Sequence, residues 1–480
     1  MRVCNQELFD KIDAYIQANK EGILEDLLTL VQIPSVQGEA KPGAPFGDEC
    51  ARMLVETTAM YERHGFQGKI NQEGGYAVSY YGENKDKMIG IFSHGDVVRA
   101  DGEWVVCPPF EPIIKDGYIF GRGCNDDKSG ILETLYAAKI IRELGLDLKS
   151  QLLMVTGVNE ETGMADIEAY VKQEPMPDAS IVADGEYPCY CGERGALRFK
   201  LISQKAFDTI KSISGGKASN IILGEITAEI PYEEKLWSQL EASCKGNDSF
   251  VLTKNEDIIS VVAKGISSHM MHAEESLNAG KVLFGMLAGC DALSVNDRTI
   301  LKEATTYLED AYGTGFGIVH MDELFGKLVC GNGIIKTTED GKLDMFFDIR
   351  VGLSYDLDEM RSQIRTVVDD AWDYQETRCA NGYYIPEDAP LRLLVEETYR
   401  TISGIHDAQS IKTAGGTHAK KLKNALSIGT VGYYKAPPIE LPKGHGGVHQ
   451  PDEKMSVDGF LEAIKIMTCV ILELDAMLNE

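Results

Sequence analysis

Four successive strand ends in this chain carry an acid or an imidazole, and that pattern narrows the fold more than any other feature. The apolar run at 88–93 closes in Phe92-Ser93-His94-Gly95-Asp96, and a glycine-rich turn, Gly121-Arg122-Gly123-Cys124-Asn125-Asp126-Asp127-Lys128-Ser129-Gly130, leads into a helix. The run at 152–158 ends in Asn159-Glu160-Glu161-Thr162-Gly163, and the run at 180–183 ends in Asp184-Gly185-Glu186. Far downstream, Gly447-Val448-His449-Gln450-Pro451-Asp452-Glu453 adds another histidine. Adjacent acids repel, so burying them beside a sheet requires a cation. Open α/β sheets bind ligands at the carboxyl ends of their strands, where these groups lie. Residues i and i+2 of a strand share a side, so Asp96 can reach around His94 and orient its ring.

Helical periodicity of three to four residues spans 6–31, 48–64 and 129–144, with strand signals at 76–81, 88–93, 152–158 and 180–183. Strand alternating with helix at this spacing predicts an α/β catalytic domain with a mixed, largely parallel sheet. After about Cys191 the texture changes. Short β-rich segments at 195–203, 221–230, 258–263 and 343–352 accompany helices at 273–287 and 357–372, which reads as an inserted α+β lid domain. Amphipathic helices return at 391–402 and 456–478. The expected division is therefore 1–190 with 385–480 as the two-metal catalytic domain, and 191–384 as the lid.

Charge and cysteine content exclude several classes. Lys plus Arg is 47 against 75 Asp plus Glu, a net charge of −28, which disfavours nucleic acid and anionic membrane as partners. No run approaches the roughly 18 apolar residues of a membrane span. The first twenty residues lack the basic and apolar regions of a signal peptide. The 11 cysteines are scattered, without a disulfide framework or paired zinc motif, and Cys124, Cys189 and Cys191 read as reduced, small apolar side chains. A cytoplasmic enzyme is expected.

Two histidines with several carboxylates suit zinc, cobalt or manganese. The order H-G-D, G-R-G-x-x-D-D-K-x-G, E-E-x-G, A-D-G-E and H-Q-P-D-E resembles the dinuclear zinc exopeptidases. Those enzymes include glutamate carboxypeptidases, aminoacylases and succinyl-diaminopimelate desuccinylases. Pro109-Phe110-Glu111-Pro112 before Lys115-Asp116-Gly117, with the long insertion, resembles the dipeptidase V and carnosinase-like branch.

The resemblance implies two divalent metal ions per chain, zinc first, with manganese or cobalt as alternatives. His94 and His449 would each hold one, Asp126 would bridge them, and Glu161 and Asp184 would each ligate one. Asp96 would clamp His94, and Glu160 would be general base and then acid. A cis peptide is implied at Asp126–Asp127. In the lid, His269 and Asn220 would meet the oxyanion and Arg350 a substrate carboxylate by a bidentate pair, with Gly415, Gly416 and Thr417 offering backbone N–H groups. His272 competes with His269, and His445 with His449. Ala273, Cys107 and Arg99 depart from the family pattern and bear on pocket shape. The implied activity is hydrolysis of dipeptides by a monomer or homodimer. Hydrolysis of N-acyl amino acids or of succinyl-diaminopimelate by the same metal site is the rival, and a non-catalytic peptide-binding protein would be expected to have lost Glu160 or a ligand.

Overall fold

The structure is a computed structural model that describes residues 1–82, 86–216, 218–429 and 438–480. Lys217, within the expected Asn220 motif, lies outside the described residues. The chain forms two compact units, Met1–Gly192 with Tyr384–Glu480, and Glu193–Tyr383.

The first unit is built on a mixed sheet. Its strands run in the order Gln67–Asn71, Tyr76–Tyr81, Gln151–Gly157, Met88–His94, Ala179–Val182 and Ala425–Ser427. The last four are mutually parallel, with His94 opposite Gly157 and Phe92 opposite Val182. The two outer strands are antiparallel. The parallel strands are buried along almost their whole length, as expected where helices cover both faces. Their carboxyl ends therefore share one edge, and the segments holding Asp96, Glu160, Glu161 and Asp184 leave from it.

Two helices are buried nearly all round because they lie inside the core. Lys128–Glu143 packs against the sheet and against Val457–Leu478, which buries Phe460, Ile464, Met467 and Ile471. Ser456 caps the latter by accepting the N–H of Gly459. Gln6–Val31 is amphipathic, with Asn5 as its N-cap. No helix among the described residues is long and apolar enough to cross a membrane.

The second unit is an eight-stranded antiparallel sheet with helices packed on one face. Leu197, Phe199, Leu201, Phe347 and Ile349 share a core with Leu236, Leu283, Leu301 and Ile364. The fold is thus α/β with a mixed sheet, interrupted by an α+β unit.

Local details differ from the sequence reading. The helix expected at 273–287 begins at Ala279, because Asn278 is extended and caps the N–H of Gly280, while Met270–Glu275 forms a 3₁₀ turn. The helix expected at 357–372 stops at Val368, since Asp369 turns to positive φ and Trp372 opens a sheet strand. The segment at 221–230 divides into Ile221–Ile222 and Glu225–Pro231, which belong to different sheets.

Glu133 is the costly feature of the first unit's core. It is buried on Lys128–Glu143 with neither carboxyl oxygen hydrogen-bonded, and burial pushes it from 4.5 to about 8. A carboxyl raised in the folded state contributes stability below about pH 4.5 that is lost as pH rises toward 8, by at most about 1.4 kcal/mol per pH unit. Glu133→Gln should remove that decline. Melting curves should show the variant gaining at least ~2 °C on the parent between pH 5 and pH 8.

Candidate active site

His94 is fixed from two sides. Its backbone N–H donates to Asp127 Oδ2 at 3.1 Å, and its Nδ1 lies 3.0 Å from the Asp96 carbonyl oxygen. A ring that donates from Nδ1 to a carbonyl presents the Nε2 lone pair. That Nε2 is 1% exposed as part of its side chain, has no hydrogen-bond partner, and faces Asp126 Oδ1 at 3.1 Å and Asp184 Oδ2 at 3.7 Å. A buried lone pair facing two carboxylates is repulsive unless a proton or a metal cation lies between them.

A second group shares Asp126. Its Oδ2 is 3.0 Å from His449 Nε2, which also lies 3.1 Å from Glu161. His94, Asp126 and Asp184 form one set of converging ligand atoms, and Asp126, Glu161 and His449 form the other. Asp126 offers one oxygen to each set, so two cations and one bridging carboxylate fit this donor chemistry. The Asp126–Asp127 peptide is cis.

Other acids hold the ligand-bearing loops by their backbone. Buried Glu453 accepts from the N–H groups of Gly123, Asn125 and Asp126, each at 3.1 Å, and from Arg122 Nη1 at 2.6 Å. The loop can fold this tightly because Gly123 has φ +84°, and a Cβ there would stand 2.6 Å from Val97. The Asp96 carboxylate accepts from Glu160 N and Glu161 N, both at 3.1 Å. Asp96 thus orients His94 through its carbonyl and the glutamate turn through its carboxylate, which lies 3.5 Å from His94 Nδ1. Asp166 Oδ2 accepts from Asn159 N at 2.8 Å. Asp127 occupies the N-cap position of its helix, but its carboxylate serves His94 rather than the helix.

Crowded carboxylates perturb one another. Glu160 is buried, and burial followed by the charges of Asp184, Glu161 and Asp96 holds its carboxyl well above the ordinary range, against His94. Burial, with Asp126 and Glu161, pushes Asp184 up to about 7. For His449, burial pulls downward but Asp126 and Glu161 outweigh it and raise the ring to about 11. Neither carboxyl oxygen of Glu160 belongs to a ligand set.

The remaining expected residues divide between the units. His445 is engaged elsewhere, with Nδ1 2.6 Å from Asp452 Oδ2. Gly415 donates its N–H to Thr413, and Thr417 Oγ1 meets Ser427 Oγ at 2.7 Å. In the second unit, pairing of Ile221 with His269 brings Asn220 beside His269, and Met270 N donates to Asn220 O at 3.1 Å. Burial, then the charges of His272 and Arg350, lowers His269; His272 is an exposed residue of the 3₁₀ turn. The side-on fork of Arg350, expected to face a substrate carboxylate, pairs with Asp348 through Nε at 2.8 Å and Nη2 at 3.0 Å. Asp348 sits two residues back on the same strand face, and Arg198 binds it too. All cysteines are free thiols; Cys124 is fully buried, and burial raises Cys189 to about 12.

The family is decided by comparison with known proteins. Residues 90–473 match the model described as Peptidase family M20/M25/M40. The chain belongs to that family. This M20 chain is 26% identical over 481 residues to the Beta-Ala-Xaa dipeptidase of Lactobacillus delbrueckii subsp. lactis, covering 95% of itself and 97% of that protein. Its fold matches human carnosine dipeptidase 1 with a TM-score of 0.60 at 16% identity, covering 98% of this chain and 100% of that one. The dipeptidase Dug1p of Saccharomyces cerevisiae gives a TM-score of 0.58 at 15% identity, covering 98% of each chain. As an M20 member the protein is a hydrolase, a metallopeptidase dependent on divalent metal.

Sequence reasoning passed over Glu453, Asp127, Asp166 and His418. Each lies within or beside a motif, but their partners are far away in the chain. Elemental analysis of the metal-loaded protein should return two divalent ions per chain. His94→Ala and His449→Ala should each lose one ion, while Asp126→Ala should lose both.

Proposed function

We propose that this M20 metallopeptidase is a dipeptidase acting through a two-metal site in its first unit. The observation that carries this reading is the pair of ligand sets sharing Asp126, with buried, uncoordinated Glu160 beside them. The dipeptidase activities of the Lactobacillus, human and yeast proteins support dipeptides as its substrates. Two divalent ions, zinc first with manganese or cobalt as chemical alternatives, would be held by His94, Asp126, Asp184, Glu161 and His449, and would supply the charge that polarises the scissile carbonyl and acidifies water.

The chain's own residues do the rest. Glu160, whose carboxyl is tuned upward by burial, takes the proton of the attacking water and passes it to the departing amine nitrogen. Asp96 keeps that glutamate and His94 in register. Residues 191–384 act as the lid: Asn220 and His269 donate to the oxyanion, and Arg350 recognises the substrate carboxylate. Asp348 presets the Arg350 guanidinium, so that less rotamer freedom is lost on binding. Gly415, Gly416 and Thr417 complete the substrate loop. A cytoplasmic location accords with eleven unpaired thiols.

Glu160→Gln should keep both metals yet lower kcat by at least ~100-fold, because only proton transfer is lost. Glu161→Gln should instead lose metal. Metal content measured beside rate checks both, and loss of metal from the Glu160 variant would mean reversed roles. Chelation should abolish hydrolysis and divalent metal should restore it.

If Arg350 grips the free carboxylate, a C-terminally amidated dipeptide should lose about 2 kcal/mol or more in kcat/KM, roughly 30-fold. Tripeptides should be poor substrates. Equal kcat/KM for free, amidated and extended substrates, or preference for N-acyl amino acids in the same panel, would rule out this reading.

A further inference from the structure

We propose that His418 is a positioning residue, which through Asp166 holds the 159–161 turn, and with it Glu160, at the end of its strand. The kinetic part of this inference rests on the proposed role of Glu160; the structural part does not.

His418 opens the 3₁₀ turn His418–Lys421 and is 2% exposed. Its Nε2 lies 3.4 Å from Asp166 Oδ2, an ion-pair distance that falls short of hydrogen-bond geometry, and no hydrogen-bond partner satisfies that nitrogen. Asp166 is wholly buried at the start of Ala165–Gln173, where its Oδ1 accepts from Ile167 N at 2.7 Å. The oxygen that faces His418 is the one that accepts from Asn159 N at 2.8 Å. A buried carboxylate needs a counter-charge or donors to stay in place. Here the imidazole Nε2 stands 3.4 Å from a carboxylate that two backbone N–H groups already hold.

The strand itself leaves room for this pair. A Cβ on Gly157 would stand 2.1 Å from Asp166 Oδ2 and 2.9 Å from His418 Cε1, so the carboxylate and the ring press directly on the strand's last residue. Three residues later comes Glu160. Asp166 therefore fixes the first N–H of the turn, while Asp96 fixes the next two. Without its partner, Asp166 can rotate away and leave Asn159 N–H unsatisfied. His418 is not a ligand, since it belongs to neither converging set, and its ring packs edge-on at 6.3 Å from His94. It also directly follows Thr417, which is pinned to Ser427. One side chain thus ties the glycine-rich 415–417 loop to the turn carrying the proposed base.

A purely space-filling histidine and a donor to Asp166 make different predictions. Leucine keeps most of the volume without a donor, whereas the amide nitrogen of glutamine reaches the position of Nε2. His418→Leu should lower kcat at least ~10-fold with two metals still bound, and His418→Gln should recover to within about threefold of the parent. Hydrogen exchange at the amides of residues 159–161 should quicken at least ~10-fold in the leucine variant and stay near the parent in the glutamine variant. Asp166→Asn supplies the same exchange test should the leucine variant fail to fold, and should quicken the Asn159 amide. Parent-like kcat and exchange in His418→Leu, equal losses in the leucine and glutamine variants, or unchanged exchange in Asp166→Asn would overturn the proposal. A parent enzyme that cleaves no dipeptide would remove the proposed function while the exchange comparison still judged the tether.

Discussion

An imbalance of buried charge governs the catalytic unit. Asp126, Asp184, Glu161 and Glu160 crowd around two imidazoles, and the Nε2 of His94 points its lone pair at carboxylate oxygens rather than at a donor. In a low-dielectric pocket such an arrangement is unfavourable by several kcal/mol per uncompensated charge. A pair of divalent cations converts the same geometry into mutual attraction. Burial also holds the Glu160 carboxyl above its ordinary range, the condition a base needs if it is to return its proton.

Holding like charges together requires fixed backbone, and further carboxylates do the fixing. Glu453 grips the loop before Asp126, Asp96 grips the amides of Glu160 and Glu161, Asp166 grips Asn159, and Asp127 grips His94. Each is buried and accepts from main-chain N–H groups, which supply positive dipoles, and Glu453 pairs with the Arg122 guanidinium as well. The acids of the two converging sets thus stand on acids that face the backbone. In each doublet, Asp126-Asp127 and Glu160-Glu161, one member belongs to a converging set and the other does not.

Much of this was readable from the residues. The apolar runs at 88–93, 152–158 and 180–183 become adjacent parallel strands, and the groups at their ends converge because parallel strands share one carboxyl edge. The amphipathic helix at 6–31 forms over those same residues, since local periodicity is enough to specify a helix face. Reading failed where long-range contacts override local preference. Trp372 joins a sheet instead of prolonging the helix before it.

The sequence by itself determined the chemical inventory and its order: imidazoles and acids at successive strand ends, two acidic doublets among them, and a parallel sheet to gather them. Only the tertiary structure decided which oxygen faces which nitrogen and what holds each loop. It gave His445 to Asp452, divided Asp126 between two ligand sets, and brought Glu453 to Arg122 across 331 residues. Strand and helix periodicities are local properties that side-chain spacing records directly. A hydrogen bond between segments hundreds of residues apart leaves no such periodic trace, and it exists only after the sheet has closed and water has been excluded from the groups it joins.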